Sequence, residues 1–431
     1  MASVVLYILI ATIAVIPAYF LSDTRDSRTC AAGRAALLRL PESLRCAQVT
    51  IFRNKALMAA IFVILAVPAV LRQNVGNDYM RYVAFFHLAN IDAYVPTEPG
   101  FNLLVKLIYG LCGYENSLLV FAVFSVLTIA FFLIAIRALS GRFFLSFFLF
   151  MAFGYYFQTY NTVRYYFAMS IVLCAMIFFL RKEYLPFLLL VLAAASFHKS
   201  ALVVLALYPV CALKWKRIPA ALAIAAVFAL SYFRDFWMQV VVRLYPSYHG
   251  TAFMSGGRIS PVNIARCAAL ALLPFLALAM DRVVNKKNDA SEEAGSQAES
   301  EISEKSPAEK PEAAGRPTQI QTESTEEDSR SGAYAFWIRC TVLALVIYCT
   351  AWFIPEISRI ATYLTVTQIF LIPEVILRAK EERTERVLTA LTIVAGIAFF
   401  ALFLWRAWDP LISILPYRTF VFHELPEAII E

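Results

Sequence analysis

The chain has few charged residues and no paired cysteines. Only 16% of its 431 residues are Asp, Glu, Lys or Arg, whereas 61% are hydrophobic, and this balance excludes a soluble globular protein. The eight cysteines form no Cys-x-x-Cys pair and mostly lie in apolar runs, so we predict packing residues and no zinc or disulfide framework. The first apolar run lacks a preceding basic segment and a small-residue cleavage site, and we interpret it as a retained span rather than a signal peptide.

Apolar runs of about twenty residues recur along the chain, and this is the length that crosses the hydrocarbon core of a bilayer. We therefore predict an all-α, polytopic transmembrane helical bundle with about twelve spans. The spans are predicted at residues 3–21, 54–71, 117–136, 143–159, 165–180, 184–197, 200–213, 218–233, 261–280, 336–354, 360–377 and 386–405.

Basic residues set the predicted orientation. Arginines crowd the first connection, 22–53, which the positive-inside rule places in the cytoplasm. Basic residues in alternate later connections agree, provided that the short apolar segment 101–113 does not cross the membrane but lies on it or is re-entrant. Both termini are then predicted to lie outside the cytoplasm. These loops also account for the net charge of +7 without a nucleic-acid partner.

One segment differs from the rest in composition. Residues 285–332 are acidic, rich in Ser, Ala, Glu and Pro, and poor in large apolar side chains. Such a sequence cannot bury enough surface to fold, so we predict a disordered cytoplasmic linker. It would divide a membrane part of about nine spans (1–284) from one of about three spans with an outer-face tail (333–431).

A polar, aromatic connection follows the second span. Residues 72–116, and above all 72–101, are longer and richer in ionisable side chains than a turn requires, which predicts a binding role. The predicted topology collects further ionisable residues on the same, outer side. Together these are Arg72, Asp78, Glu98, Arg164, His198, Lys199, Arg258 and Arg359.

Arginines at the ends of several helices favour an anion site, because guanidinium groups match phosphate oxygens. Simpler roles stay open for each residue. An isolated Arg164 or Arg359 could be an interfacial arginine, Asp78 a turn or cap residue, and Glu98 an N-terminal helix acid before proline. His198 could equally be a packing residue. The tyrosines could bind sugars or form an interfacial belt.

At these residues the chain resembles the EpsG family of Wzy-type bacterial polysaccharide polymerases. The resemblance extends between about residues 50 and 420 and is carried by five segments in the family's order. The segments are RQNVGNDYMRY (72–82), EPGF (98–101), RYYFAMS (164–170), FHKSAL (197–202) and RIATY (359–363). The basic segment 22–53 and the acidic linker look like additions to the family pattern.

The resemblance implies a fold like that of metal-independent, lipid-linked (GT-C-like) glycosyltransferases, with no metal or cofactor. The implied substrate is an oligosaccharide repeat unit on undecaprenyl diphosphate, joined at the outer face of the bacterial cytoplasmic membrane. A chain-length regulator and a flippase are possible partners. A ligase of the O-antigen type, a transporter or flippase of lipid-linked oligosaccharide, and a membrane O-acyltransferase are the alternatives.

On this resemblance we assign predicted roles. Arg164 and Arg359 hold the diphosphate, and Arg72 or Arg258 assists. Tyr79, Tyr82 and Lys199 also bind substrate. One of Asp78, Glu98 and His198 deprotonates or positions the acceptor hydroxyl, since a general base must come within hydrogen-bond reach of that proton. Glu98 is preferred because a helix N-terminus would orient it rigidly.

Overall fold

The structure is a computed structural model. It describes residues 2–21, 42–216, 221, 224–225, 227–229, 231–244, 259–300, 320–354, 357–410 and 412–422. The chain divides into two compact units, Met1–Val210 with Ile393–Glu431 and Cys211–Thr392. The described residues are helical and form no strand, apart from one isolated antiparallel bridge between Arg72 and Thr419. The predicted all-α fold is therefore confirmed.

The helices follow one another in chain order, with a 3-10 turn at Lys199–Val203. They are α1 (Ala2–Tyr19), α2 (Glu42–Leu71), α3 (Tyr79–Asn90), α4 (Pro99–Cys112), α5 (Ser117–Leu139), α6 (Phe143–Ala152), α7 (Tyr155–Gln158), α8 (Val163–Leu180), α9 (Tyr184–Ala195), α10 (Val204–Ala212), α11 (Arg234–Leu244), α12 (Pro261–Ser300), α13 (Ile320–Thr350), α14 (Ile357–Thr365), α15 (Gln368–Leu377) and α16 (Glu382–Arg406).

Eight segments of the described chain are long and apolar enough to cross a membrane, and they make this a multi-pass membrane protein. The eight are Ala2–Tyr19, Phe52–Leu71, Ser117–Leu139, Val163–Leu180, Pro261–Asn285, Ser331–Thr350, Ile357–Leu377 and Glu382–Arg406. Four shorter apolar segments accompany them, namely Pro99–Cys112, Phe143–Ala152, Tyr184–Ala195 and Lys199–Ala212.

Several predicted spans differ in length from the helices that form. Predicted span 143–159 contains α6, which has ten residues and at 1.5 Å per residue is only about 15 Å long. Gly154 ends the helical run with a φ of +75°, and a Cβ there would lie 2.5 Å from the Phe403 ring. Predicted span 360–377 is two helices, α14 and α15. Part of predicted span 218–233, residues 218–220, 222–223, 226 and 230, lies outside the described residues.

The predicted linker and membrane parts stay predictions. Helices α12 and α13 extend into 285–332 from both sides, and residues 301–319 lie outside the described residues. The compact units divide the chain at other positions than the predicted parts 1–284 and 333–431, because residues 393–431 belong to the first unit. The basic connection is described only from residue 42 onward.

Helix α8 is the most buried long helix of the first unit. Its apolar residues run all round, which is typical of a helix that is surrounded by other helices, and it packs against both α5 and α9. Asn116 caps the N-terminus of α5, because its side chain accepts a hydrogen bond from the Leu119 N–H at 3.0 Å. Arg164 is the second residue of α8.

Candidate functional site

The connection between the second and third long helices folds into the two short helices α3 and α4. Glu98 immediately precedes α4 and has an extended backbone (φ −75°, ψ 151°), while Pro99 takes the first helical position. Both features follow from the sequence, because proline favours the first turn of a helix and an extended residue before it. Helix α4 spans 14 residues, or about 21 Å, less than the roughly 30 Å of hydrocarbon. That segment 101–113 does not cross the membrane stays a prediction.

Glu98 is bonded to two segments that are distant in sequence. Its Oε2 forms an ion pair with Arg164 Nη1 at 2.5 Å, and its Oε1 accepts a hydrogen bond from the Lys199 backbone N–H at 3.1 Å. The side chains of Arg164 and Glu98 are 16% and 15% exposed. Three of the predicted site residues therefore meet at one partly open point of the first unit.

Two aromatic rings support the Arg164 guanidinium. Its central carbon lies 5.3 Å from the centre of the Phe101 ring and 5.9 Å from that of Tyr82, within the range of cation–π attraction. Tyr82 is buried, and burial raises the pKa of its hydroxyl group. Tyr82 is therefore a buried residue that packs against Arg164 of the predicted anion site.

A close backbone approach joins the Glu98 segment to the His198 segment. The Gly100 N–H donates to the Ser196 carbonyl at 2.8 Å. A Cβ on Gly100 would lie 2.8 Å from that same carbonyl oxygen, closer than carbon and oxygen normally pack. Glycine is therefore required at this point, and it sets the distance between Glu98 and Lys199.

His198 directly precedes Lys199, whose N–H binds Glu98. Its ring packs edge-on against Tyr165, the residue after Arg164, with 5.4 Å between centres. Its Nδ1 is 2.7 Å from Ser200 Oγ and accepts from the Ser200 N–H at 3.4 Å. Ser200 thus orients the imidazole.

Asp78 is held by the segment that leads into α8. Its backbone N–H donates to Asn161 Oδ1 at 3.2 Å, and its side chain lies 3.9 Å from Arg81. Gly76, with a φ of +96°, lets this loop approach so closely that a Cβ would be 2.7 Å from Asn161 Cα. Asn161 was not predicted as a site residue, although it lies only three residues before Arg164 in the sequence.

Arg72 occupies a second, fully enclosed cluster. Its side chain is 1% exposed, and its Nη1 donates at 2.6 Å both to the Ala69 carbonyl and to Ser125 Oγ. The guanidinium lies 5.0 Å from the Tyr160 ring and 5.4 Å from the Phe121 ring. Burial lowers its pKa, opposed by neighbouring tyrosine hydroxyls. Among the described residues, its Nε and Nη2 have no hydrogen-bond partner.

Tyr79 belongs to the Arg72 cluster. It is 3% exposed and stacks on Phe121 with 4.4 Å between ring centres. Predicted as substrate-binding residues, Tyr79 and Tyr82 both present their rings to the protein interior in this structure. We therefore treat them as supports of the two arginine clusters.

The tail after α16 pairs with the Arg72 loop, a contact that was not predicted. The N–H groups of Gln73, Gly76 and Asn77 donate to carbonyls of the tail at 2.9, 2.8 and 3.1 Å; the acceptors are Arg418, Ser413 and Ile412. The Tyr417 hydroxyl donates to the Pro68 carbonyl at 2.8 Å. Tail residues about 340 positions away in the chain thus hold the segment 72–82 in place.

Two further predicted arginines are not among the described residues of the first unit. Arg359 belongs to the second unit, where it is half-buried on α14. Arg258 lies outside the described residues. In the part of the chain that the structure describes, no three His, Cys, Asp or Glu side chains lie close enough to hold a metal ion.

A family model described as the EpsG family matches residues 55–419, which include every motif segment named above. No curated protein matches the chain, and no solved structure does.

Proposed function

The chain belongs to the EpsG family, the family of Wzy-type polysaccharide polymerases, and from this premise we propose which reaction it performs. Membership gives a membrane protein with a polysaccharide polymerase-type function. The proposed reaction joins oligosaccharide repeat units carried on undecaprenyl diphosphate. The proposed location is the outer face of the cytoplasmic membrane, with both termini on that side.

The meeting of Arg164, Glu98 and Lys199 carries this proposal. These residues come from three of the five family segments. The Glu98 carboxylate joins them, with Oε2 2.5 Å from Arg164 Nη1 and Oε1 3.1 Å from the Lys199 backbone nitrogen. Both side chains of the ion pair keep about a sixth of their surface exposed, so an anion arriving from outside the protein can reach them. The cluster therefore has the charge and the opening that a surface anion site requires.

The chemistry fits a diphosphate leaving group. The acceptor hydroxyl oxygen bonds to the anomeric carbon of the donor sugar, the bond from that carbon to the phosphate oxygen breaks, and its electron pair leaves with the lipid diphosphate. Negative charge grows on the leaving oxygen, and a guanidinium fixed beforehand stabilises it more than the ground state. Arg164 supplies that charge in the first unit, and Arg359 and Arg258 are proposed as further diphosphate ligands.

The acceptor's proton requires a base. We assign this role to Glu98, with His198 positioning the acceptor through its ring beside Tyr165. A carboxylate that is held on one oxygen by a backbone N–H keeps its direction while the other oxygen can take a proton. Asp78 is bonded to Asn161 through its backbone and lies beside Arg81, so we place it in support of the loop.

Turnover by the purified protein tests the proposal. With a lipid-diphosphate repeat unit and no added metal, the wild type should produce a glycan ladder, and Arg164→Ala should reduce laddering about a hundredfold or more. Arg181→Ala is the matched control, because Arg181 caps the opposite end of the same helix and is exposed.

Other products would point to the alternatives. A single addition to a different acceptor would indicate a ligase, and movement of intact lipid without new glycosidic bonds would indicate a transporter. Equal laddering by Arg164→Ala and Arg181→Ala would refute the assigned role of Arg164.

A further inference from the structure

We propose that Glu98 is the resting occupant of the phosphate position on Arg164, and that an arriving diphosphate displaces it. The displaced carboxylate is then free to accept the acceptor's proton. The exchange itself requires only an anion and Arg164, while the last step rests on the proposed function. Substrate binding and base activation would thus be one event.

Both Glu98 oxygens are occupied in this structure. Oε2 is held by Arg164 and Oε1 by the Lys199 N–H, so the carboxylate is poorly placed to take a proton from a third group. The resting pair is therefore an inactive arrangement that must open before proton transfer.

A phosphate group competes with Glu98 for the Arg164 guanidinium. Carboxylate and phosphate oxygens bind guanidinium through the same charge-assisted hydrogen bonds, and a diphosphate brings more charge and more oxygens. Arg164 also has a spare donor, because its buried Nε has no hydrogen-bond partner among the described residues. The Nε–H and one Nη2–H of a guanidinium point along the same edge, so a phosphate that turns the group can bind both donors, which a single Glu98 oxygen does not do.

When a diphosphate displaces Glu98 from Arg164, only one of the two Glu98 contacts is lost. Losing Arg164 frees Oε2, but the Lys199 backbone N–H still holds Oε1, and Gly100 remains bonded to Ser196. The carboxylate therefore stays at the site after it is displaced. The Arg386–Glu382 ion pair, by contrast, joins adjacent turns of one helix, with both side chains about three-quarters exposed.

Binding of inorganic pyrophosphate to the purified full-length protein tests the exchange. Glu98→Gln removes the competing charge but keeps an amide oxygen for the Lys199 N–H. We expect it to raise pyrophosphate affinity about tenfold, as expected for losing one partly screened charge pair, and to lower turnover about a hundredfold. Glu115→Gln is the control on the same loop, since Glu115 bonds His87 and Asn90 instead, and its affinity should not change. Unchanged or weaker binding by Glu98→Gln overturns the exchange.

A second measurement uses the wild type and does not depend on a variant folding. Carbodiimide labels accessible carboxyl groups, and peptide mass spectrometry reports which residue is labelled. Pyrophosphate should increase labelling of Glu98 several-fold and leave Glu115 unchanged; constant or reduced Glu98 labelling contradicts the exchange. Neither readout needs polymerisation, so a positive exchange with no glycan ladder would refute only the proposed function. A ladder without the exchange would refute only this inference.

Discussion

Two arginines of the family segments lie in the same unit and have opposite surroundings. Arg164 pairs with a carboxylate and keeps 16% of its side chain exposed. Arg72 is 1% exposed, and its charge is met by carbonyl, hydroxyl and aromatic groups. The residue type is the same, yet only one of the two can be reached by a membrane-surface ligand in this structure.

The difference indicates a division of work. Arg72 joins the end of α2 to α5 and to the loop before α8, and the bridge to Thr419 adds the tail after α16. Arg164 instead belongs to the open cluster, which consists of Glu98, Arg164, His198 and Lys199, and it packs on the rings of Tyr82 and Phe101. We infer that the Arg72 cluster holds the framework in which the Arg164 cluster binds and reacts.

Replacing Arg72 should have the largest effect on stability. Arg72→Ala removes a fully buried side chain with two hydrogen bonds, so we expect a loss of about 3 kcal/mol or more and a lower yield of folded protein. Arg164→Ala should lower the melting temperature in detergent far less. Equal destabilisation by the two substitutions would contradict the proposed division.

Gly76→Ala tests the join between the two clusters. The new Cβ would meet Asn161 Cα and the Tyr160 carbonyl at 2.7 Å with φ at +96°, and we expect a cost of about 2–3 kcal/mol. Gly113→Ala is the control, because Gly113 also has a positive φ, of +75°, but no atom within 4 Å of the added Cβ. Thermal unfolding compares the two, and an equal cost would show that the close approach is unimportant.

Gly100→Ala tests the geometry of the open cluster alone. Its Cβ would push against the Ser196 carbonyl and shift Glu98 relative to Lys199. Small misplacements of reacting groups are costly, so turnover should fall about tenfold or more with a modest change in melting temperature. Gly110→Ala lies on the same helix with open space around it, and it should retain wild-type turnover.

Tyr417→Phe should have the smallest effect. It removes the hydrogen bond to the Pro68 carbonyl while keeping the ring, so we expect a loss of about 1 kcal/mol in thermal unfolding. Turnover per folded molecule should be unchanged. A large loss of turnover without a loss of stability would move the tail from the framework into the reaction site.

The helical fold can be predicted from composition, whereas the positions at which some helices end cannot. Runs of twenty apolar residues predict spans because the bilayer sets their length. The early end of α6 depends on Gly154 approaching Phe403, which are about 250 positions apart, and no local pattern reports such a contact. The pairing of residues 412–419 with the Arg72 loop was missed for the same reason.

The open cluster was largely predictable, because its members carry charges where a membrane protein has few. Glu98, Arg164 and the His198–Lys199 pair were all predicted, and they lie together. Sequence alone could not separate Arg72 from Arg164, since burial depends on neighbours distant in the chain. Asn161, Ser196 and Ser200 hold the site through hydrogen bonds, and uncharged residues of this kind give no signal in a single sequence.

Photo-crosslinking tests the central claim most directly. A lipid diphosphate with a photoreactive group beside the phosphates is bound to the protein, irradiated and mapped by peptide mass spectrometry. We predict labels on the three segments that meet at the open cluster, 98–101, 164–168 and 197–201. Labels absent from all three, with efficient crosslinking elsewhere in the chain, would contradict the claim that Arg164 and its neighbours hold the diphosphate.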